Sequence, residues 1–77
     1  MIHKTAIVDN KAKISESVII GPYSVIGPNV QIDQQTIIES HVNLSGYTKI
    51  GKNNKIYPFA SIGSNPQDLK KFIKEIN

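Results

Sequence analysis

Residues 18–38 read VIIGPYSVIGPNVQIDQQTII. Ile20, Ile26, Ile32 and Ile38 stand six residues apart within them, and the spacing continues in both directions. Ile2, Val8 and Ile14 precede this stretch and Leu44, Ile50, Ile56 and Ile62 follow it, so that eleven successive grid positions are aliphatic without an insertion. In a chain that is 39% hydrophobic by composition, such a run is not a product of chance. A six-residue period would smear these side chains round a helix of 3.6 residues per turn, so a continuous helix is excluded. Short extended segments separated by corners satisfy it, because residues two apart on a strand share one face.

The other columns of the grid agree. Two residues before the aliphatic positions stand Ala6, Ala12, Val18, Ser24, Val30, Thr36, Val42, Thr48 and Ala60, small or β-branched throughout, with Asn54 the exception. Gly21, Gly27, Gly51 and Gly63 follow an aliphatic position directly, and Pro22, Pro28 and Pro58 occupy the next place. Aliphatic, Gly, Pro is turn chemistry returning on a six-residue clock. Each hexapeptide therefore reads as a short strand plus a corner, and the corner glycines are expected to supply conformations that a side chain would penalise. The architecture with this signature is the hexapeptide parallel β-helix, in which three sides close a coil of about 18 residues. Residues 2–63 would make roughly three and a half coils, with columns such as Ile2, Ile20, Ile38 and Ile56 stacked inside.

Residues 1–64 are thus read as one β-helical unit and residues 65–77 as a tail of different character. There the rhythm gives way to helix signals: Asn65 as N-cap, Pro66 at the first helical position and Asp68 in the first turn. Leu69, Phe72, Ile73 and Ile76 follow at i, i+3, i+4, i+7, which predicts a short amphipathic helix over residues 66–76 capping the last coil.

Composition narrows the function. A 77-residue chain buries only about 60% of its unfolded surface, so its core needs support from disulfides, a metal or self-association. No cysteine is present, which removes disulfides, thiolate zinc sites and cysteine nucleophiles. With His3 and His41 the only histidines, an all-histidine metal site within one chain is not expected, and self-association remains. The net charge of +3 comes from nine lysines and no arginine. Absence of the guanidinium fork argues against nucleic-acid readout. Six lysines against Asp68 and Glu75 after Thr48 make the C-terminal third the basic part of the chain. No apolar stretch approaches the ~20 residues of a membrane span, and the N-terminus lacks a signal-peptide core. A cytoplasmic protein is the expectation.

The wording of three stretches is narrower than the repeat. IHKTAIVDNKAKI, VIIGPYSVIGPNVQI and ESHVNLSGYTKIGKNNKIYPFASIGSNPQDLK closely resemble the N-terminal part of the acyl-carrier-protein–UDP-N-acetylglucosamine O-acyltransferases, hexapeptide-repeat enzymes of the first step of lipid A synthesis. The resemblance covers residues 1–70 without a gap, and SGYTKIGKNNKIYPFASIG followed by PQDLK is its most specific part. It implies an all-β, left-handed parallel β-helix assembled as a homotrimer with active sites between neighbouring subunits. It also implies transfer of a 3-hydroxyacyl group from acyl carrier protein to the 3-hydroxyl of UDP-N-acetylglucosamine, with a histidine as general base and no metal or soluble cofactor. That base lies beyond residue 77, so the chain matches an N-terminal fragment, truncated before the catalytic histidine and inactive by itself.

By the same resemblance, Gln67, Asp68 and Lys70 contact the nucleotide-sugar, a carboxylate accepting from sugar or base and an ammonium pairing with phosphate. The competing reading is that Asp68 stabilises a helix N-terminus and Lys70 is solvated. Neither His3 nor His41 matches the family's base, and both are expected at surface or corner positions. Tyr57 and Phe59 read as corner packing, and Asn43 and Gly46 as turn residues. The alternative function is a non-catalytic β-helix remnant that only self-associates. A metal hydratase on the same scaffold needs more histidines than the chain holds.

Overall fold

The computed structural model describes residues 1–63 and the backbone of Lys74–Ile76. Each hexapeptide from Ile7 to Ile62 contributes one strand of two or three residues, and the tail adds one more. These are β1 (Ile7–Val8), β2 (Lys13–Ile14), β3 (Ile19–Ile20), β4 (Val25–Ile26), β5 (Val30–Ile32), β6 (Ile37–Ile38), β7 (Asn43–Leu44), β8 (Thr48–Ile50), β9 (Lys55–Ile56), β10 (Ser61–Ile62) and β11 (Lys74–Ile76). They form three parallel sheets. Face A holds β3-β6-β9, face B holds β1-β4-β7-β10, and face C holds β2-β5-β8-β11. Up to Ile62 every pairing joins residues 18 apart, as in Ile20↔Ile38, Ile38↔Ile56, Ile26↔Leu44 and Ile32↔Ile50. Ile2 bridges to Ile20 and starts the column on face A. The expected column of Ile2, Ile20, Ile38 and Ile56 is therefore present.

The core is what the two inner columns predict. Val18, Ile20, Ile26, Val30, Ile32, Ile38, Val42, Leu44 and Ile50 are almost wholly buried and Ile56 nearly so. Ile2, with a neighbour on only one side, stays about half exposed.

The small polar members of the inner column, Ser24, Thr36 and Thr48, are buried too, and each hydroxyl is satisfied by backbone. Ser24 Oγ donates to the Glu39 carbonyl at 2.7 Å and accepts the Val42 N–H at 3.1 Å. Thr36 Oγ1 donates to the Gly51 carbonyl at 2.6 Å and accepts the Asn54 N–H at 3.2 Å. Both hydroxyls tie one coil to the next, whereas Thr48 Oγ1 donates to Ser45 within its own coil. Thr36→Val keeps the shape but strands two backbone groups, a loss of about 1–3 kcal/mol. Its melting temperature should fall by roughly 5–20 °C in circular dichroism, with a smaller fall for Thr48→Val.

Two expectations are corrected. The left-handed corner positions are not held mainly by glycine: Tyr23, Gln35, His41, Asn53 and Phe59 take φ of 61°, 59°, 56°, 58° and 67°. Among the glycines only Gly46 (φ 66°) and Gly63 have positive φ, so Gly46 is a turn residue as expected. Gly21 instead serves close approach: a Cβ there would stand 2.8 Å from the Glu39 carbonyl carbon of the next coil. Asn43 is not a turn residue but the outward member of β7, between Val25 and Ser61.

The tail also departs from expectation. Residues 66–73 of the predicted helix lie outside the described residues. Its last three, Lys74–Ile76, run as a strand in register with Thr48–Ile50. The open edge of β8 offers three residues of parallel pairing, and this outweighs the local helical spacing at that end.

Candidate functional site

The substrate contacts expected at Gln67, Asp68 and Lys70 fall outside the described residues. The two histidines do not. His3 is exposed, and its Nδ1 accepts the Thr5 N–H at 3.1 Å while lying 2.9 Å from Thr5 Oγ1. Thr5 Oγ1 in turn accepts the Tyr23 N–H of the next coil at 3.1 Å. These contacts stitch a turn, and Nδ1 already serves as an acceptor there, which places the neutral ring's proton on Nε2. His3 is a corner histidine, as read from the sequence.

His41 sits on the corner between faces A and B, exposed. Residues 18 apart share a corner position, so Thr5, Tyr23, His41 and Phe59 form one outward ladder. The Tyr23 and His41 ring centroids are 5.1 Å apart, and those of His41 and Phe59 4.9 Å at an interplanar angle of 21°. This is stacking geometry, and it gives His41 a packing role. Phe59 is corner packing, as expected. Tyr57 lies beside it on the same corner with the Lys55 ammonium 5.4 Å from its ring centre. Lys55 also pairs with Glu39 at 3.2 Å across the coils.

The surface flanking this corner carries exposed apolar side chains beside the Lys55–Glu39 pair. Ile7 and Val25 project from face B and Ile19 and Ile37 from face A, with exposures from 37% to 67%. Tyr23, Tyr57 and Phe59 extend the patch round the corner at 61%, 64% and 76%. Exposed apolar side chains gathered on one side of a coil are the kind of surface that marks an interaction site. The sequence reading missed this surface, although its signal was present. Aromatic rings at 23, 41 and 59 repeat at the coil length, and Ile7/Val25 and Ile19/Ile37 repeat at outward positions.

Face C is different in chemistry. Its outward column runs Lys13, Gln31, Lys49, beside a corner column of Lys11, Asn29 and Tyr47. Among the described residues no group of three or more His, Asp or Glu could hold a metal ion. No helix among them is long and apolar enough to cross a membrane.

Comparison with known proteins adds a family and close relatives. The bacterial transferase hexapeptide (six repeats) family matches residues 1–46. The acyl-[acyl-carrier-protein]–UDP-N-acetylglucosamine O-acyltransferase of Thermodesulfovibrio yellowstonii is 52% identical over 69 residues, 90% of this chain. The solved UDP-N-acetylglucosamine O-acyltransferase of Moraxella catarrhalis superposes with a TM-score of 0.81 at 58% identity. Its counterpart from Acinetobacter baumannii gives 0.80 at 54%, and each covers 90% of this chain. The backbone is that of the left-handed β-helix these proteins share. The chain spans about a quarter of the relatives' length, 27% in each of these three.

Proposed function

Since the chain belongs to the bacterial transferase hexapeptide family, we propose that it is the N-terminal β-helical part of an acyl-carrier-protein–UDP-N-acetylglucosamine O-acyltransferase, acting in the first step of lipid A synthesis. The observation that carries this reading is agreement at both levels over nine-tenths of the chain: 58% identity with a TM-score of 0.81. In the reaction the sugar's 3-hydroxyl attacks the thioester carbon of a 3-hydroxyacyl carrier protein. The C–S bond breaks, the thiol leaves, and the hydroxyl's proton passes to a general base. No described residue suits that last role: the one occupied nitrogen of His3 braces a turn, and His41 is stacked between two rings.

Gln67, Asp68 and Lys70 are assigned to the nucleotide-sugar, Asp68 accepting hydrogen bonds and Lys70 pairing with phosphate. No cofactor is required, and a cytoplasmic location fits the substrates. The apolar patch over Ile7, Ile19, Val25, Ile37 and the aromatic corner supports self-association, and a homotrimer is the assembly proposed.

A chimera tests the reading. Residues 1–70 of this chain replace the corresponding residues of the full-length Thermodesulfovibrio yellowstonii enzyme. Acyl transfer should be retained within about tenfold, and Asp68→Ala in the chimera should raise KM for the nucleotide-sugar. The 77-residue chain alone should give no turnover above a buffer control, since a general base contributes ~10²–10⁴-fold. A chimera that folds by circular dichroism yet transfers no acyl group overturns the proposal.

A further inference from the structure

Face C carries a concavity that neither the core nor the apolar patch explains. A cavity of about 270 Å³ is lined by Lys11, Lys13, Asn29, Gln31 and Tyr47, together with Pro28 and Val30. A second, of about 210 Å³, shares Asn29, Gln31 and Tyr47 with it and reaches Lys49. Together they form a groove along the helix axis, because each lining column steps from coil to coil at the ~4.8 Å spacing of paired strands.

Among the described residues, three lysines line the groove and no carboxylate does, and Glu75 of β11 stands in register with Lys49 at the end of the column. Lys13 and Lys49 lie two strands apart in one column, about 10 Å, with the neutral Gln31 between them. Lys49 has an interaction of its own, so the charge offered to a ligand is that of Lys11 and Lys13. The side-chain amides of Asn29 and Gln31 add donors that turn to suit an oxyanion. Tyr47 forms the far wall and is 36% exposed, against 61% and 64% for Tyr23 and Tyr57 on the apolar corner. Tyr47 lines both cavities.

We propose that this groove binds a small phosphate monoester carrying a planar ring, with the phosphate at Lys11 and Lys13 and the ring against Tyr47. Ammonium groups hold phosphate as point charges through charge-assisted hydrogen bonds. An aromatic wall within the same cavity selects for a ring on the ester. The proposal rests on this groove and is independent of the acyl-transfer reading.

Phenyl phosphate is the probe, followed by two-dimensional NMR of the full chain. Saturable shifts are expected at the backbone amides of Lys13, Asn29, Gln31 and Tyr47. Inorganic phosphate should bind several-fold more weakly, for want of the ring contact. The double variant Lys11→Gln/Lys13→Gln should weaken phenyl phosphate by at least about tenfold, and Tyr47→Leu should erase its advantage over inorganic phosphate. Lys52→Gln, at an exposed position outside the groove, should change nothing. Absence of saturable shifts overturns the proposal, as does an equal loss in Lys52→Gln. Equal affinity for phenyl and inorganic phosphate overturns the aromatic part.

Discussion

Ile38→Ala should remove a large share of the chain's folding stability. Ile38 is fully buried and is the middle of the face A column, with Ile20 below it and Ile56 above. Its truncation removes contacts to both neighbours and leaves a gap that neither can fill, because each is fixed by its own ladder of backbone hydrogen bonds. Large-to-small changes of this type cost about 2–5 kcal/mol. A chain of this length has roughly 4–12 kcal/mol in all. Thermal unfolding followed at the β band should show a broad transition at least roughly 10 °C lower. Ile7→Ala, at an outward position 67% exposed, should leave the monomer's transition nearly unmoved. Equal melting of the two variants would contradict the assignment of inner and outer columns.

The second large effect is expected at a glycine. Gly21 and Gly27 stand in the same local wording, each before a proline, and the sequence gives no reason to separate them. Their surroundings do. A Cβ on Gly21 would lie 2.8 Å from the carbonyl carbon and 2.9 Å from the carbonyl oxygen of Glu39. Both atoms are backbone and cannot swing away. The Gly21 N–H donates to Ile38 at 2.7 Å, and the Glu39 N–H to Ile56 at 3.0 Å, so both coils are held at that height. Gly21→Ala therefore forces neighbouring coils apart, at a cost of about 1–3 kcal/mol or more. A Cβ on Gly27 meets the Leu44 carbonyl oxygen at 3.4 Å, a contact that a small shift accommodates. Because its φ is not positive, Gly27→Ala also reduces the freedom of the unfolded chain, worth about 0.4–1 kcal/mol in the folded state's favour. Chemical denaturation of the two variants should therefore split in sign. A loss at Gly27 as large as that at Gly21 would contradict the coil spacing described.

Burial explains which parts of this fold were legible in advance. The inside of a coil admits two residue positions in six, and both are chosen for size and apolarity, so they print a period on the sequence. That is why Ile20 to Ile56 and Val18 to Thr48 can be placed without coordinates. Asn54, the exception on the grid, is only half-buried. Its N–H bonds to Thr36 and its side-chain amide lies 3.4 Å from the Lys52 carbonyl. Corners carry no comparable constraint. Tyr23, His41 and Phe59 accept a left-handed backbone at a cost of about 1–2 kcal/mol each, and stacking on one another offsets part of it. Local propensity points to glycine at such places, and only the 18-residue spacing could have pointed to the ring ladder. The β11 strand was illegible for a related reason. Its register is set by the free edge of Thr48–Ile50, which is a property of the folded coil and not of residues 74–76. The candidate substrate residues Gln67, Asp68 and Lys70 were legible only through resemblance, since no period or spacing marks them.

The uniform 18-residue step between paired strands has a kinetic side. Every β-helical pairing from Ile2 to Ile62 closes a loop of the same size, close to a quarter of the 77-residue chain. No hairpin or other short-range pair exists within these coils to form first, so contact order is at the high end and folding belongs in the millisecond-to-second range. The first coil yields no pairing until a second lies upon it, after which each added coil meets a finished template. The nucleus is therefore a matter of chain length: any two adjacent coils serve, and fewer than about 36 residues cannot begin. During synthesis, the chain should stay unstructured until its second coil has left the ribosome, and then grow one triangle at a time.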